Sequence, residues 1–210
     1  MSRNPRILSK PVIGLAGGIG AGKSVVARVF ESLGAAIVDS DRQGHEQLGD
    51  PEVVATLRLW WGDSICTAGG VIDRKVVAGI VFEDPAQLKR LEEYLYPRIE
   101  RCREALFLRY DADPAIRAIV LDSPKLFESG LSETCDAVVF VDASREVRLA
   151  RLDRARGWTA QELDRREKLQ NPLDRKKAAA DHIVDNHSSI ARLEPCVERI
   201  LSSVIASFSP

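Results

Sequence analysis

The sequence predicts an α/β fold in which a mostly parallel five-stranded sheet lies between helices. Short apolar stretches alternate with stretches of helical periodicity along the 210 residues, and this pattern is typical of parallel sheets that helices cover on both faces. A glycine-rich segment also joins the first apolar stretch directly to an amphipathic one. The predicted strands are 12–16, 35–38, 116–121, 137–141 and 182–184.

Helical patterns dominate the chain between the second and third predicted strands, over residues 43–110. A compact sheet does not need so much chain at this point, so we predict a separate substrate-binding subdomain. A last predicted helix, 189–206, carries apolar residues on one side and should pack back on the core. Turn signals divide the long insertion at Gly62-Asp63, Gly69-Gly70, Asp84-Pro85 and Tyr96-Pro97.

Composition argues against several classes of protein. The chain has 30 basic and 31 acidic residues and a formal charge of −1, so it has no global attraction to nucleic acid or to an anionic membrane. No apolar run reaches membrane-spanning length. The four cysteines lie far apart and the three histidines show no metal-ligand spacing. We therefore predict a monomeric cytoplasmic protein with free thiols.

Residues 17–24 read Gly-Gly-Ile-Gly-Ala-Gly-Lys-Ser and match the phosphate-binding loop pattern. Glycines let successive N–H groups turn toward one anion, and the N-terminus of the following helix adds partial positive charge. Lys23 is expected to reach the outer phosphates, and the Ser24 hydroxyl to ligate Mg²⁺. A glycine-rich turn that binds nothing is disfavoured, because strand and helix both flank the segment. The residues assigned to ATP here are Gly18, Gly20, Ala21, Gly22, Lys23, Ser24 and Val25.

Two aspartates, Asp39 and Asp41, follow the second predicted strand. Ligands of open parallel sheets bind beyond the carboxyl ends of the strands. Phosphoryl transfer needs alignment, neutralisation of charge, and a group that orients or deprotonates the attacking hydroxyl. We assign this last role to Asp41. The alternative is that an aspartate caps the helix that follows.

Arginines recur at positions 145, 148, 151, 154 and 156, just after the fourth predicted strand. Guanidinium groups suit phosphate oxygens, so this segment is typical of a lid that closes over a nucleotide. Arg148 and Arg156 are the catalytic candidates within it. The alternative is a solvated helix whose arginines pair with Glu146 and Asp153.

Asp122 follows the third predicted strand and begins the sequence Asp-Ser-Pro-Lys-Leu-Phe-Glu. As a strand-end carboxylate it is a candidate for holding Mg²⁺, directly or through an intermediate group. A role as a turn former is equally consistent with its position.

Several motifs in order resemble one family, the dephospho-coenzyme A kinases. The resemblance covers residues 12–205 and is far more discriminating than the phosphate loop alone, which many NTPases share. The motifs are Gly14–Ser24, Val38-Asp-Ser-Asp41, Trp61-Gly62, Gly69-Gly-Val-Ile-Asp-Arg74, Val81-Phe82, Tyr96-Pro97, Pro124-Lys-Leu-Phe-Glu128, Arg156-Gly-Trp158, Gln170 and Ala180–Asn186.

The resemblance implies a P-loop kinase that moves the γ-phosphate of ATP to the 3′-hydroxyl of dephospho-coenzyme A. It implies three parts: a nucleotide-binding core of residues 1–42, 111–145 and 181–210, a helical acceptor-binding insertion of residues 43–110, and a lid of residues 146–180. Asp41 matches the family's catalytic base and Arg156 a lid arginine near the nucleotide. Asn186 falls in the segment that borders adenine, and Arg74 in the acceptor-side Asp-Arg motif.

Three positions depart from the family pattern. Val25 replaces a threonine after the Lys-Ser pair, at little expected cost because Ser24 already supplies the hydroxyl. Tyr96 replaces a histidine and so removes an imidazole that titrates near neutral pH. Lys125 replaces an apolar residue and adds a cation near the strand ends. We place Tyr96 and Lys125, with Asp41 and Arg74, in the predicted acceptor site.

Two other functions remain open at this point. Another small-molecule or nucleoside monophosphate kinase would share the loop and lid, but the Gly-Val-Ile-Asp-Arg74 segment argues against it. A nucleotide-gated switch protein would need a water-positioning residue and switch loops, which the sequence does not reveal.

Overall fold

The computed structural model describes residues 8–187 and 193–208. Within these ranges the chain forms five strands and nine α-helices. The strands are β1 (Val12–Gly17), β2 (Ala35–Asp39), β3 (Ala118–Asp122), β4 (Ala137–Asp142) and β5 (His182–Asp185). The helices are α1 (Lys23–Ser32), α2 (Ser40–Gln47), α3 (Pro51–Trp61), α4 (Arg74–Glu83), α5 (Pro85–Ala112), α6 (Arg145–Arg156), α7 (Ala160–Glu167), α8 (Leu173–Ala178) and α9 (Leu193–Ser207).

The five strands form one sheet in the order β2-β3-β1-β4-β5. Every neighbouring pair is parallel, so the predicted α/β fold is confirmed. Because β1 is the central strand, the loop that follows it leaves the sheet between the carboxyl ends of β3 and β4. This position is where open parallel sheets bind their ligands.

The three central strands of the sheet, β3, β1 and β4, are buried on both faces, which explains their continuous apolar runs in the sequence. All six residues of β1 are buried. The hydrophobic core around the sheet includes Phe30 of α1 and Val197 and Leu201 of α9, each with no exposed surface. These helices therefore fix the positions of the strand ends from which the loops emerge.

The chain divides into two compact units, one of Met1–Ser40 with Phe107–Pro210 and one of Asp41–Leu106. The second unit has its own hydrophobic cluster, in which Val53, Leu57 and Ile65 have no exposed surface. Separate burial of apolar residues is the property that lets a segment of this size hold its own structure. The three-part division into core, insertion and lid stays a prediction.

The turn predicted at Tyr96-Pro97 is wrong, because α5 continues through Pro97. A proline inside a helix removes one backbone hydrogen bond and is unfavourable on its own. Here Leu91, Leu95 and Ile99 flank it on one side of the helix and pack into the cluster of the second unit. Burial of this stripe keeps the helix continuous.

The remaining boundaries differ from the predictions by small amounts. The third strand begins at Ala118, two residues later than predicted, and ends one residue later at Asp122. The last helix, α9, buries Leu193, Val197, Ile200, Leu201 and Val204, as its periodicity predicts. The predicted start of that helix at residues 189–192 lies outside the described residues.

Gly14, in the middle of β1, provides a test of how tightly the sheet is packed. A Cβ at this position would lie 2.8 Å from both Cys135 Sγ and Leu126 Cδ2. We expect Gly14→Ala to lower the free energy of unfolding by about 1–3 kcal/mol, as overpacking does in a dense core. Chemical denaturation measures this change.

Gly79→Ala is the matched control, because Gly79 lies within α4 and a Cβ there meets nothing within 4 Å. The control should stabilise the protein by up to about 1 kcal/mol, since alanine is the better helix former. Equal effects of the two substitutions would contradict the packing described for Gly14.

Candidate active site

The phosphate loop connects the end of β1 at Gly17 to the start of α1 at Lys23. Its backbone closes on itself, because the Ala21 N–H donates to the Gly18 carbonyl at 3.1 Å. The Val25 N–H then donates to the Gly22 carbonyl at 3.0 Å and begins the helix. The first turn of α1 contains Lys23 and Ser24 and no acidic residue, so nothing in that turn offsets the positive end of the helix dipole.

At Gly22 the loop has no room for a side chain. The φ of Gly22 is +90°, and a Cβ there would lie 2.3 Å from the Asn186 amide nitrogen. Asn186 is 3% exposed and donates from Nδ2 to the Ala21 carbonyl at 2.7 Å. Arg151 donates to the same carbonyl at 3.1 Å and to the Asn186 carbonyl at 2.8 Å. Two side chains from α6 and the end of β5 thus hold one peptide of the loop.

Arg148 holds a second peptide of the loop. Its side chain is buried, with 4% of the residue exposed, and Nη1 donates to the Ile19 carbonyl at 3.1 Å. The same guanidinium pairs with Glu167 at the end of α7. A Cβ on Gly18 would lie 2.9 Å from Arg148 Nη1, so the guanidinium packs directly against the loop backbone.

These contacts determine where the loop amides point. In a planar trans peptide the C=O and the next N–H point in opposite directions. When Arg148 holds the Ile19 carbonyl, the Gly20 N–H faces the other side of that peptide. The Ala21 carbonyl, held by Asn186 and Arg151, orients the Gly22 N–H in the same manner. Both amides are thereby pre-set as donors to an anion in the loop.

Two carboxylates lie at the carboxyl edge of the sheet, on the β3 side of β1. Asp39 ends β2 and Asp122 ends β3, and their Cα atoms are register partners. Asp122 is also the register partner of Leu15 on β1. Residues at matching positions on parallel strands share a face of the sheet, so the two carboxylates lie on the same face, Asp122 on the strand next to β1 and Asp39 one strand further away.

Asp41 belongs to the first turn of α2, two residues after the end of β2. It is exposed, and a carboxylate in a first turn also stabilises the helix through its dipole. Asp41 is the first residue of the second compact unit, and its assigned role stays a prediction.

Ser24 and Asp122 are the residues predicted to hold Mg²⁺, and both supply the hard oxygen ligands that this ion prefers. Ser24 is exposed in the first turn of α1. Across the described ranges no group of three or more His, Cys, Asp or Glu side chains is arranged to hold a metal ion. The chemistry of these two oxygen donors fits the ion, and the rest of its coordination is part of the proposed function.

The segment predicted as a lid consists of α6, α7 and α8. Arg145 pairs with Asp164 at 2.6 Å, across α6 and α7. Arg148 likewise pairs with Glu167 of α7. These two arginines therefore pair with acids of α7, and not with Glu146 and Asp153, the partners expected for a solvated helix. Arg156 is exposed, and its guanidinium lies 5.1 Å from the centre of the Trp158 ring.

A buried ion pair joins α8 to the loop after β3. Lys176 Nζ lies 2.7 Å from Glu128 Oε1 and donates to the Gln170 side-chain oxygen at 3.0 Å. The Asn171 N–H donates to the same Glu128 oxygen at 2.7 Å. Burial alone would raise the pKa of Glu128, but the bonds from Lys176 and the Asn171 N–H outweigh it, so the pKa is lowered from 4.5.

The predicted acceptor residues Arg74, Tyr96 and Lys125 are all exposed. Arg74 begins α4 behind Asp73, whose side chain caps that helix. The Tyr96 hydroxyl donates to Glu92 at 2.9 Å. Although most of the ring is exposed, partial desolvation of the hydroxyl together with this bond raises the pKa of Tyr96. Arg74 and Tyr96 belong to the second unit and Lys125 to the first.

Sequence reasoning missed Glu167 and Lys176, and it named Arg151 only as one member of the arginine run, without a role. The arginine run showed that α6 is rich in cations, but its periodicity does not tell which of them face the loop. The acid on α7 that pairs with Arg148 is nineteen positions away, and no local pattern connects the two.

The sheet order, the phosphate loop between its central strand and α1, and the arginine-bearing helix after β4 define a P-loop kinase. A family model described as CoaE, Dephospho-CoA kinase, matches residues 11–192. The chain therefore belongs to the dephospho-CoA kinase family.

Curated relatives agree with this membership, and solved structures agree with the fold. The chain is 34% identical to a dephospho-CoA kinase of Rhodopirellula baltica, over 99% of each chain. It is 36% identical to one of Streptomyces avermitilis, over 92% of this chain and 93% of the relative. A Thermus thermophilus crystal structure superposes with a TM-score of 0.78 at 30% identity, over 96% of this chain and 99% of that one. For the dephospho-CoA kinase of Campylobacter jejuni the TM-score is 0.64 at 21% identity, with 93% and 97% covered, which speaks for the fold.

The Glu128–Lys176 pair generates a pH-dependent prediction. We expect Glu128→Gln to destabilise the protein by roughly 3 kcal/mol at neutral pH, because it leaves the Lys176 charge buried without its carboxylate. Since the pKa of Glu128 is lowered from 4.5, the wild-type advantage is complete above that pH. It declines as the pH falls through the lowered pKa. Chemical denaturation of both proteins across this pH range measures the difference.

Glu46→Gln is the control, because Glu46 pairs with Arg42 on the surface, where both side chains are more than half exposed. Its effect should stay within about 0.5 kcal/mol. A Glu128→Gln deficit that persists unchanged below the lowered pKa would overturn the assignment.

Proposed function

We propose that this protein transfers the γ-phosphate of ATP to the 3′-hydroxyl of dephospho-coenzyme A, the last step of coenzyme A synthesis. Membership of the dephospho-CoA kinase family over residues 11–192 carries this conclusion. The match to this family model favours dephospho-coenzyme A kinase over the two other functions, because neither another kinase nor a switch protein would be expected to match it over residues 11–192.

The phosphate loop supplies the donor side of the proposed reaction. The Gly20 and Gly22 amides and the dipole of α1 bind the ATP phosphates, and Lys23 neutralises charge on the outer ones. Mg²⁺ would be held by the Ser24 hydroxyl and the Asp122 carboxylate together with phosphate oxygens. When bound, the ion neutralises charge that develops during transfer. Ala21, Val25 and Asn186 complete the proposed nucleotide contacts.

Asp41 supplies the acceptor side. As the base it would take the proton of the attacking hydroxyl, or orient that hydroxyl toward the γ-phosphate. Its position just after β2 supports this role, because the carboxyl ends of parallel strands collect ligands. Arg74, Tyr96 and Lys125 remain the proposed acceptor contacts, and their exposure leaves them available to a ligand.

The arginine segment would exclude water and neutralise charge when substrates are bound, which suppresses ATP hydrolysis. Exposed Arg156 is available to contact nucleotide. Arg148 is already engaged with the loop and Glu167. Its contact with the transferring phosphate stays a prediction.

The partners we propose are small molecules, ATP and dephospho-coenzyme A, and the protein is proposed to act as a monomer in the cytoplasm. In the described part of the chain, no helix is both long and apolar enough to cross a bilayer. All four cysteines are thiols, which supports a reducing compartment.

The acceptor is tested by supplying ATP with different alcohols. ATP consumption should depend on dephospho-coenzyme A, and phosphate should appear on its 3′-hydroxyl, as mass spectrometry would show. Coenzyme A is the matched control acceptor, because the same hydroxyl already carries phosphate. Slow hydrolysis that is indifferent to acceptor would contradict the proposal and favour a switch protein.

The base is tested by Asp41→Asn, which keeps the size of the side chain and removes its charge. We expect kcat to fall about 100-fold or more, the usual contribution of a general base, with ATP affinity little changed. Asp63→Asn is the control in the same unit, since Asp63 is 81% exposed and pairs with Arg58 on the surface. Near-normal turnover of folded Asp41→Asn would rule out this role.

A further inference from the structure

Arg148 presents an unusual combination of burial and charge. Only 4% of the residue is exposed, and an arginine so buried needs a carboxylate and good hydrogen bonds to be tolerated. Glu167 supplies the carboxylate, and the Ile19 carbonyl accepts one N–H at 3.1 Å. Arg148 therefore links Glu167 of α7 to the backbone of the phosphate loop.

Gly18 shows that the loop is shaped around this guanidinium. In the phosphate-loop pattern position 18 is one of the four variable residues, and its φ is not left-handed, so the backbone does not require glycine there. A Cβ would nevertheless lie 2.9 Å from Arg148 Nη1 and 3.2 Å from its Cδ and Cζ. The absence of a side chain at Gly18 is explained by the close approach of Arg148.

Glu167 also determines the orientation of Arg148. Its second carboxylate oxygen lies 3.5 Å from Arg145 Nη1, so the acid is anchored between two arginines of α6. A guanidinium is planar, and its donors have a fixed geometry. Nη1 of Arg148 pairs with Glu167 and also donates to the Ile19 carbonyl. Because Nη1 carries two N–H groups in one plane, holding it at the anchored carboxylate sets the direction of its other N–H toward the loop.

We propose that Glu167 is a positioning residue for ATP binding: through Arg148 it holds the Ile19 carbonyl outward and so aims the Gly20 N–H at the nucleotide phosphates. The proposal rests on the proposed function for the identity of the nucleotide. Glu167 touches neither substrate in this scheme. In this proposal Arg148 acts through its bond to the Ile19 carbonyl and not on the transferring phosphate. The effect of Glu167 is therefore on affinity for ATP, while the chemical step is altered little.

The main test is direct calorimetric binding of ATP to Glu167→Gln, with no acceptor present. Loss of one charged anchor should raise the Kd for ATP about tenfold, the scale of one charge-assisted hydrogen bond. In steady-state assays KM for ATP should rise similarly, with KM for dephospho-coenzyme A and kcat nearly unchanged. Rescue by Glu167→Asp should be partial, because the charge is kept and the reach is shorter.

Asp164→Asn is the matched control, since Asp164 links the same two helices through Arg145 but is 51% exposed. Its Kd for ATP should equal that of the wild type. Gly18→Ala adds a methyl group that would push against the Arg148 guanidinium from the loop side. This substitution should also weaken ATP binding. Because both changes act on one contact, Gly18→Ala with Glu167→Gln should weaken binding by less than the product of the single effects.

The proposal is overturned if folded Glu167→Gln, checked by its Tm, binds ATP as tightly as the wild type. It is equally overturned if Asp164→Asn weakens binding as much, since the two acids would then serve only to join α6 to α7. Should Glu167→Gln fail to fold, Gly18→Ala decides, and unchanged ATP affinity there would refute the contact. Binding is measured without acceptor, so failure of the proposed acceptor would show separately, as absent transfer to dephospho-coenzyme A.

Discussion

The hydrogen bonds that hold the carbonyls of the phosphate loop outward are the constraint on which the donor site depends. A loop rich in glycine is entropically expensive to order, and an anion site needs its amides aimed before the anion arrives. Here the Ile19 carbonyl is held by Arg148, and the Ala21 carbonyl by Asn186 and Arg151. The planarity of the peptide converts these outward bonds into inward-facing N–H donors.

Through these contacts α6 supports the backbone of the phosphate loop directly. Arg148 and Lys176 are both buried cations, and each is matched by a glutamate on another element, Glu167 on α7 and Glu128 after β3. Such pairs add little net stability relative to apolar packing, yet breaking one is costly. The two pairs therefore determine where α6, α7 and α8 pack, while they add little to the free energy of unfolding.

Much of the fold could be predicted because it depends on patterns of residue type within short segments of the sequence. Continuous apolar runs identified the five strands, and glycines next to Lys23 and Ser24 identified the phosphate loop. The turn predicted at Pro97 failed because burial of Leu91, Leu95 and Ile99 outweighs one lost hydrogen bond. Among candidate site residues, the strand-end carboxylates were recognisable since sheet topology brings strand ends together. The assigned roles of Asp41, Arg156 and the acceptor residues stay predictions.

By itself, the sequence determined the class of fold, the position of the phosphate loop and, through ordered motifs, the family. These are properties of residue type and spacing, which a chain carries before it folds. Only the tertiary structure decided which arginines of α6 meet the loop, which acid of α7 compensates Arg148, and why position 18 is glycine. The physical reason is that each depends on the distance between elements far apart in the chain. Close packing, and not periodicity, sets that distance.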